Sequence, residues 1–179
     1  MKKKVLVVLS IGVFLLGVAT IAQAALVDVD AKINAYDSGF FDTNVVLSAG
    51  DWLSIIVAEN DLWAAGPNDR TSNANGLTGI SPYGGGNYGY YTNADGSFHY
   101  GSLVGYIGDG DYFFIGTNFN QQVTDAGKLF FGYWDSNSSD NVGYITVNIN
   151  TSVVPIPAAV WLLGSGLLGL VGFRKNRSA

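Results

Sequence analysis

The stretch KLFFGYWDSNSSDNVGYITVNI, residues 128–149, reads as two β-strands separated by an acid-amide loop. Lys128 to Tyr133 before the loop and Tyr144 to Ile149 after it are rich in aromatic and β-branched residues, the composition of a half-buried strand. Between them Asp135, Asn137, Asp140 and Asn141 fall within seven residues, with Ser136, Ser138 and Ser139 interspersed and Gly143 just after. A plain turn is satisfied by one or two such side chains. A hard cation uses more, since calcium takes about six to eight oxygens from carboxylates, amides, backbone carbonyls and water. Taken alone, the loop leaves two readings open: a calcium site, and an Asn/Asp-rich hairpin whose side chains satisfy turn backbone. Zinc is a poor match, because the chain has one histidine, His99, and no cysteine.

The same pattern extends outward. Val27 to Ala35, Trp52 to Ala58, Leu103 to Ile107 and Tyr112 to Ile115 are short runs rich in Val, Ile, Tyr and Phe, divided by Gly, Asn and Asp. Such runs predict an all-β domain, an antiparallel sandwich or barrel, with no helical periodicity outside the two termini. Asn68 to Tyr100 is the exception, a long Gly/Asn/Tyr-rich stretch with little alternation. It is either a functional loop or low-complexity filler.

Both ends carry targeting features. Lys2, Lys3 and Lys4, the apolar run Val5 to Ala19, and the small-x-small step Ala22-Gln23-Ala24 form a secretory signal peptide, residues 1–24, for signal peptidase. At the other end Pro155 and Pro157 precede an uncharged segment from Ala158 to Phe173, closed by Arg174, Lys175 and Arg177. A basic end stays cytoplasmic, so residues 25–152 are expected to be exported, with the membrane touched only through the C-terminal helix. That exported part holds all 14 acidic residues but only Lys32, Arg70 and Lys128 of the nine basic ones, so its net charge is 3 − 14 = −11. Such a surface repels phosphate backbones and argues against nucleic acid. Without cysteines, the domain must be held together by its core, with a metal as the one further staple available.

Two resemblances refine this reading. The segment VPIPAAVWLLGSGLLGLVGFRKNR, within residues 153–179, resembles the VPxP-type PEP-CTERM sorting signal, which implies an exosortase as partner and delivery to the outer surface or extracellular matrix. The domain itself resembles the LecA-type galactose-binding lectins, small calcium-dependent β-sandwiches. YDSGFFDTNVVLSAGDWLSIIVA, WAAGPNDRTSNANGL, YGSLVGYIG and the opening stretch resemble successive segments of that family in the same order. The resemblance implies a jelly-roll-like sandwich with an N-terminal signal helix and a C-terminal hydrophobic helix outside it. It also implies Asp135, Asp140 and Asn141 as side-chain calcium ligands, with backbone carbonyls from Ala65 and Asn137. The loop is about two residues shorter than the family's, so Ser138 or Ser139 is an alternative carbonyl. In the family the metal also holds two galactose hydroxyls, and a His and a Gln contact the exocyclic hydroxyl. Here those positions hold Ser72 and Asn75, so a hexose other than galactose is a natural alternative ligand.

The other candidates are less specific. Trp63, near the implied site, is a candidate sugar contact, although Trp52, Trp63 and Trp134 each suit a sandwich core as well. Asp109 and Asp111 flank a glycine in GDGDY, which reads as a hairpin turn. No Ser-His-Asp order, phosphate-cradling loop or HExxH pattern is present, so no enzymatic activity is expected. The sequence therefore predicts an exported, calcium-dependent carbohydrate-binding sandwich. Its alternative is a non-catalytic structural protein of a biofilm matrix that uses calcium for stability only.

Overall fold

The structure, a computed structural model, describes residues 23–67, 70–80 and 82–152. Ala22, Pro155, Pro157, Arg174, Lys175 and both expected terminal helices lie outside those residues. Among the described residues no helix is long and apolar enough to cross a membrane.

The strands are β1 (Gln23–Asp30), β2 (Phe41–Leu47), β3 (Trp52–Val57), β4 (Trp63–Ala64), β5 (Thr71–Ser72), β6 (Tyr90–Asn93), β7 (Gly96–His99), β8 (Leu103–Ile107), β9 (Phe113–Phe114), β10 (Asn118–Gln122), β11 (Gly127–Tyr133) and β12 (Tyr144–Ser152). Eight of them build two antiparallel four-stranded sheets, ordered β1-β12-β3-β10 and β2-β11-β8-β9. Counted among those eight, the orders are first-eighth-third-sixth and second-seventh-fourth-fifth. These are the two interlocked Greek keys of a jelly roll. The hairpins β4-β5 and β6-β7 are inserted between the third and fourth of these strands.

Alternation explains how the sheets face each other. On β3, Leu53, Ile55 and Val57 are buried while Trp52 and Ile56 point outward, and on β12 Ile145, Val147 and Ile149 are buried between exposed neighbours. From the other sheet Val45, Leu47, Leu103, Ile107, Leu129, Phe131 and Tyr133 join the same cluster. The register Ile149↔Ile55 and Val147↔Val57 sets the apolar rows side by side. A slip by one residue would turn every one of them to solvent.

Several boundaries differ from the sequence expectation. β1 ends at Asp30, short of Ala35, because the Asp30 carboxylate accepts from the backbone N–H groups of Lys32 (2.8 Å) and Ile33 (2.9 Å) and turns the chain. β1 starts at Gln23, upstream of the expected mature end at Ala25, and pairs with β12 from Gln23↔Thr151. The Gly/Asn/Tyr-rich stretch contains the β6-β7 hairpin, turned at Ala94-Asp95, where the Asn93 side chain accepts from the N–H of Asp95 and Gly96. Asp109 and Asp111 lie in the connection between the paired strands β8 and β9, the expected turn.

Candidate metal and ligand cleft

The loop that follows β11 is fixed at both ends before any ligand is considered. At its start Trp134 is fully buried, its indole donates to the Tyr91 carbonyl (2.8 Å), and its N–H donates to the Ser102 carbonyl (2.9 Å). At its end Ala64 and Val142 exchange two backbone hydrogen bonds (2.9 and 3.0 Å). That bridge carries Ala65, the next residue, up against the loop. Between the two anchors Ser138–Asp140 forms a single 3-10 turn, capped by the Asn137 side chain accepting from Ser139 N–H. An Asx-type cap is what the run of amides and hydroxyls favours over a longer strand.

The result is a cleft of about 330 Å3 whose wall includes Ala65, Asp135, Asn137 and Asp140, four of the five expected metal ligands. The fifth, Asn141, is buried at 1 % exposure beneath it. Its amide nitrogen donates to the Ala31 carbonyl (3.0 Å), while its Oδ1 is buried with no hydrogen-bond partner. Ser138 O accepts from Asn141 N–H (3.2 Å) and Ser139 O from the Lys32 ammonium (2.9 Å), each keeping one lone pair, so the loop offers the Asn137, Ser138 and Ser139 carbonyls.

Asp135 is a costly group to bury. It is 6 % exposed, and its Oδ1 accepts from Ser136 N–H (2.6 Å) and Asn137 N–H (3.4 Å). Burial pushes its carboxyl above the ordinary carboxylate range; those N–H groups and the Asn141 amide pull it back, and the Asp140 charge pushes it up again. A buried carboxylate and an unpartnered amide oxygen in one place form a cation-seeking arrangement. Among the described residues no three His, Cys, Asp or Glu side chains gather as a metal cluster. The oxygens here are two carboxylates, amides and carbonyls, a set that suits calcium and excludes the thiolate–imidazole geometry of zinc.

Arg70 is the residue the sequence reading missed. One guanidinium nitrogen, Nη1, lies 3.2 Å from the Ala65 carbonyl oxygen and 3.4 Å from Asp140 Oδ2, so a side-chain cation stands between two expected calcium ligands. Its guanidinium carbon sits 5.4 Å from the Tyr88 ring centroid, and Tyr88, Asp140 and Asp135 together hold it firmly protonated. Gly66 makes the approach possible. Its φ of +94° is left-handed, and a Cβ there would collide with the Asp140 carboxylate. With Arg70, the residues Leu77, Tyr88 and Tyr100 complete the cleft. Arg70 was visible as one of three basic residues in the domain; its partner lies 70 positions away, and nothing local connects them.

The expected sugar contacts are not in this cleft. Trp63 is 1 % exposed, donates its indole N–H to the Gly101 carbonyl (2.9 Å) and packs edge-on against Tyr133. Ser72 is fully buried, with its hydroxyl unpartnered. Both sit on the β4-β5 hairpin, whose Trp63, Ala64 and Ser72 side chains are buried while Thr71 is exposed. Asn75 accepts from Thr117 N–H (3.0 Å) and donates to the Thr117 hydroxyl (3.2 Å). It lines a second cleft of about 430 Å3 with Glu59, Asn73, Thr78, Tyr83, His99 and Phe114. Direct sugar contact by the Trp63 and Ser72 side chains is therefore corrected: packing of the hairpin removes both from the surface.

No protein-family model matches the chain, and no curated protein sequence matches it. The fold is similar to a solved structure described as the EclA N-terminal domain, a PllA-like lectin, with a TM-score of 0.52 and 21 % identity, covering 74 % of this chain and 97 % of that one. The chain thus has a lectin-like, all-β antiparallel fold.

Proposed function

We propose that residues 25–152 form a non-enzymatic carbohydrate-binding domain whose cleft holds calcium through Asp135, Asp140, Asn141 and the carbonyls of Ala65 and Asn137. The observation that carries this reading is the convergence of those groups, with Asp135 6 % exposed and the Asn141 Oδ1 unpartnered. The lectin-like fold supports carbohydrate as the ligand class. A bound calcium supplies Lewis-acid positions for vicinal hydroxyls of a hexose. The chain's own contribution is to hold the oxygens at the cleft floor and to offer Tyr88 and Tyr100 at its rim.

Two further elements belong to this proposal. A signal peptide cut after Ala24 exports the domain, and the tail around Pro155, Pro157, Arg174 and Lys175 is read by an exosortase, releasing it to the cell surface or matrix. The stability-only reading, a structural matrix protein, draws on the burial of Ser72 and Trp63, two of the three expected sugar contacts.

Titration calorimetry separates the two. Calcium is titrated first, then a monosaccharide panel in saturating calcium. Calcium binding followed by heat from at least one hexose supports the proposal; calcium binding with silence across the panel favours the structural reading, and absence of calcium binding removes both.

A further inference from the structure

The outer face of the β1-β12-β3-β10 sheet is unlike the rest of this acidic domain. Register places its outward side chains in rows across the strands: Gln122, Trp52 and Ser152 in one, Asn120, Ser54 and Asn150 in the next, Asn118, Ile56 and Asn148 in a third. Those nine positions carry five amides and no charge, in a domain that holds 14 acidic residues. The acids of this face, Asp28 and Asp30, lie toward the β1 end opposite Thr146 and Tyr144; Asp28 accepts from the Thr146 hydroxyl (2.9 Å), and Asp30 is spent on its turn. Trp52 is 44 % exposed and Ile56 50 % exposed in the middle of the rows.

Open sheet faces on soluble domains are ordinarily defended by charge, which keeps them from associating. An uncharged, amide-rich face around an exposed indole is instead suited to a neutral partner dense in hydroxyls. Each primary amide offers two donors and two acceptor lone pairs, and the amides here use few of them: the Asn120 carbonyl oxygen accepts from the Trp52 indole, Asn150 donates to Asn148 (3.2 Å), and Gln122 donates to the Gly50 carbonyl (2.7 Å). The rows repeat every ~4.8 Å across strands and ~6.8 Å along them, so a ribbon-like chain laid across the sheet meets amide or hydroxyl groups on the β10 and β12 positions, with Trp52 and Ile56 as apolar steps on β3 between them. The indole face supplies the apolar platform for the C–H side of a sugar ring.

We propose that this face binds an extended neutral polysaccharide, independently of the cleft and of calcium. Charge selects the ligand: a domain of net charge −11 repels polyanionic glycans, and the nine carboxylate-free positions across β10, β3 and β12 admit a neutral one. A sheet-on-sheet contact with a second copy is the competing occupant, and the test is built to expose it.

The full chain, solubilised in a detergent without a sugar headgroup, is run by affinity electrophoresis with EDTA throughout, in gels containing galactomannan, hydroxyethylcellulose or polygalacturonate. The expected result is retardation by at least one neutral polymer and none by polygalacturonate. Trp52→Ala should weaken the retardation at least tenfold, and Asn150→Asp should weaken it comparably with the melting temperature unchanged, because both positions are exposed. No retardation in either neutral gel overturns the proposal, as does retardation indifferent to both substitutions. Sedimentation showing a dimer that Trp52→Ala disperses in the absence of glycan also overturns it, by assigning the face to a second copy.

Discussion

Asp135→Asn is the substitution whose two effects have opposite consequences for a metal site and for a turn. Asparagine keeps the shape and the Oδ1 that accepts from Ser136 and Asn137 N–H, and it removes the charge from a side chain 6 % exposed. In EDTA the variant should melt at or above the wild-type temperature, because a buried carboxylate short of partners is replaced by a neutral group. With calcium the order should invert. A ligand bound only by the native state adds RT ln(1 + [L]/Kd), ~2.7 kcal/mol at a hundredfold excess over Kd. At roughly 3–4 °C per kcal/mol for a domain of this size, the wild-type melt should rise by ~10 °C. The variant has lost a buried charged ligand of the site, and its rise should fall below ~2 °C on the same scale. The assay is a thermal melt of both proteins in EDTA and across a calcium series. An equal calcium shift in both, or a chelated variant more than ~2 kcal/mol less stable than wild type, refutes the reasoning; the latter would mean that the ionised carboxylate is a favourable cap of Ser136 and Asn137.

Arg70→Gln should tighten calcium binding in calorimetry, since the guanidinium otherwise stands against the Ala65 carbonyl and Asp140; an unchanged affinity contradicts a shared position. Gly66→Ala should destabilise the domain by roughly 1–2 kcal/mol from its positive φ alone and weaken calcium as well, through the collision with Asp140, readable in chemical denaturation and titration. Tyr36, hydrogen-bonded to Asp95, has its phenol pushed up to about 12. Being raised in the folded state, it contributes stability that is present below the unfolded phenol value of ~10 and is lost as pH rises toward 12; Asp95→Asn should move its ultraviolet titration back toward ~10. Mature protein recovered from the cell surface should lack Trp161 and everything after it, and an intact mass that retains the tail contradicts exosortase processing.

Legibility in the sequence followed burial. β3 and β12 were readable because alternate residues face a core, as in the buried Leu53, Ile55 and Val57 of β3, and β8 and β11 because their apolar and aromatic runs are buried almost continuously. β10, Asn118–Gln122, was invisible because an edge strand with its side chains largely in solvent has no apolar period to display. β6 and β7 hid in tyrosines and glycines for the same reason, being partly exposed along their length. The acid-amide loop could be located because its composition exceeds what a turn requires. Its partners do not follow from composition: Ala65 entered the expectation only through the family resemblance, and Arg70 did not enter it at all, because the Ala64–Val142 bridge and the contact with Asp140 that bring them to the loop are long-range consequences of the fold. Trp63 carried the same ambiguity as any tryptophan, core or contact, which only the inward tuck of its hairpin resolves.

Binding of the exported domain to a glycan array, measured in calcium, then in EDTA, then with calcium restored, tests the central claim most directly. The account predicts a defined set of hexose-bearing glycans bound in calcium, that set lost in EDTA and recovered on return of the metal, and the same set absent for Asp135→Asn under all three conditions. A domain that demonstrably binds calcium and yet recognises no glycan beyond those it still binds in EDTA would contradict it.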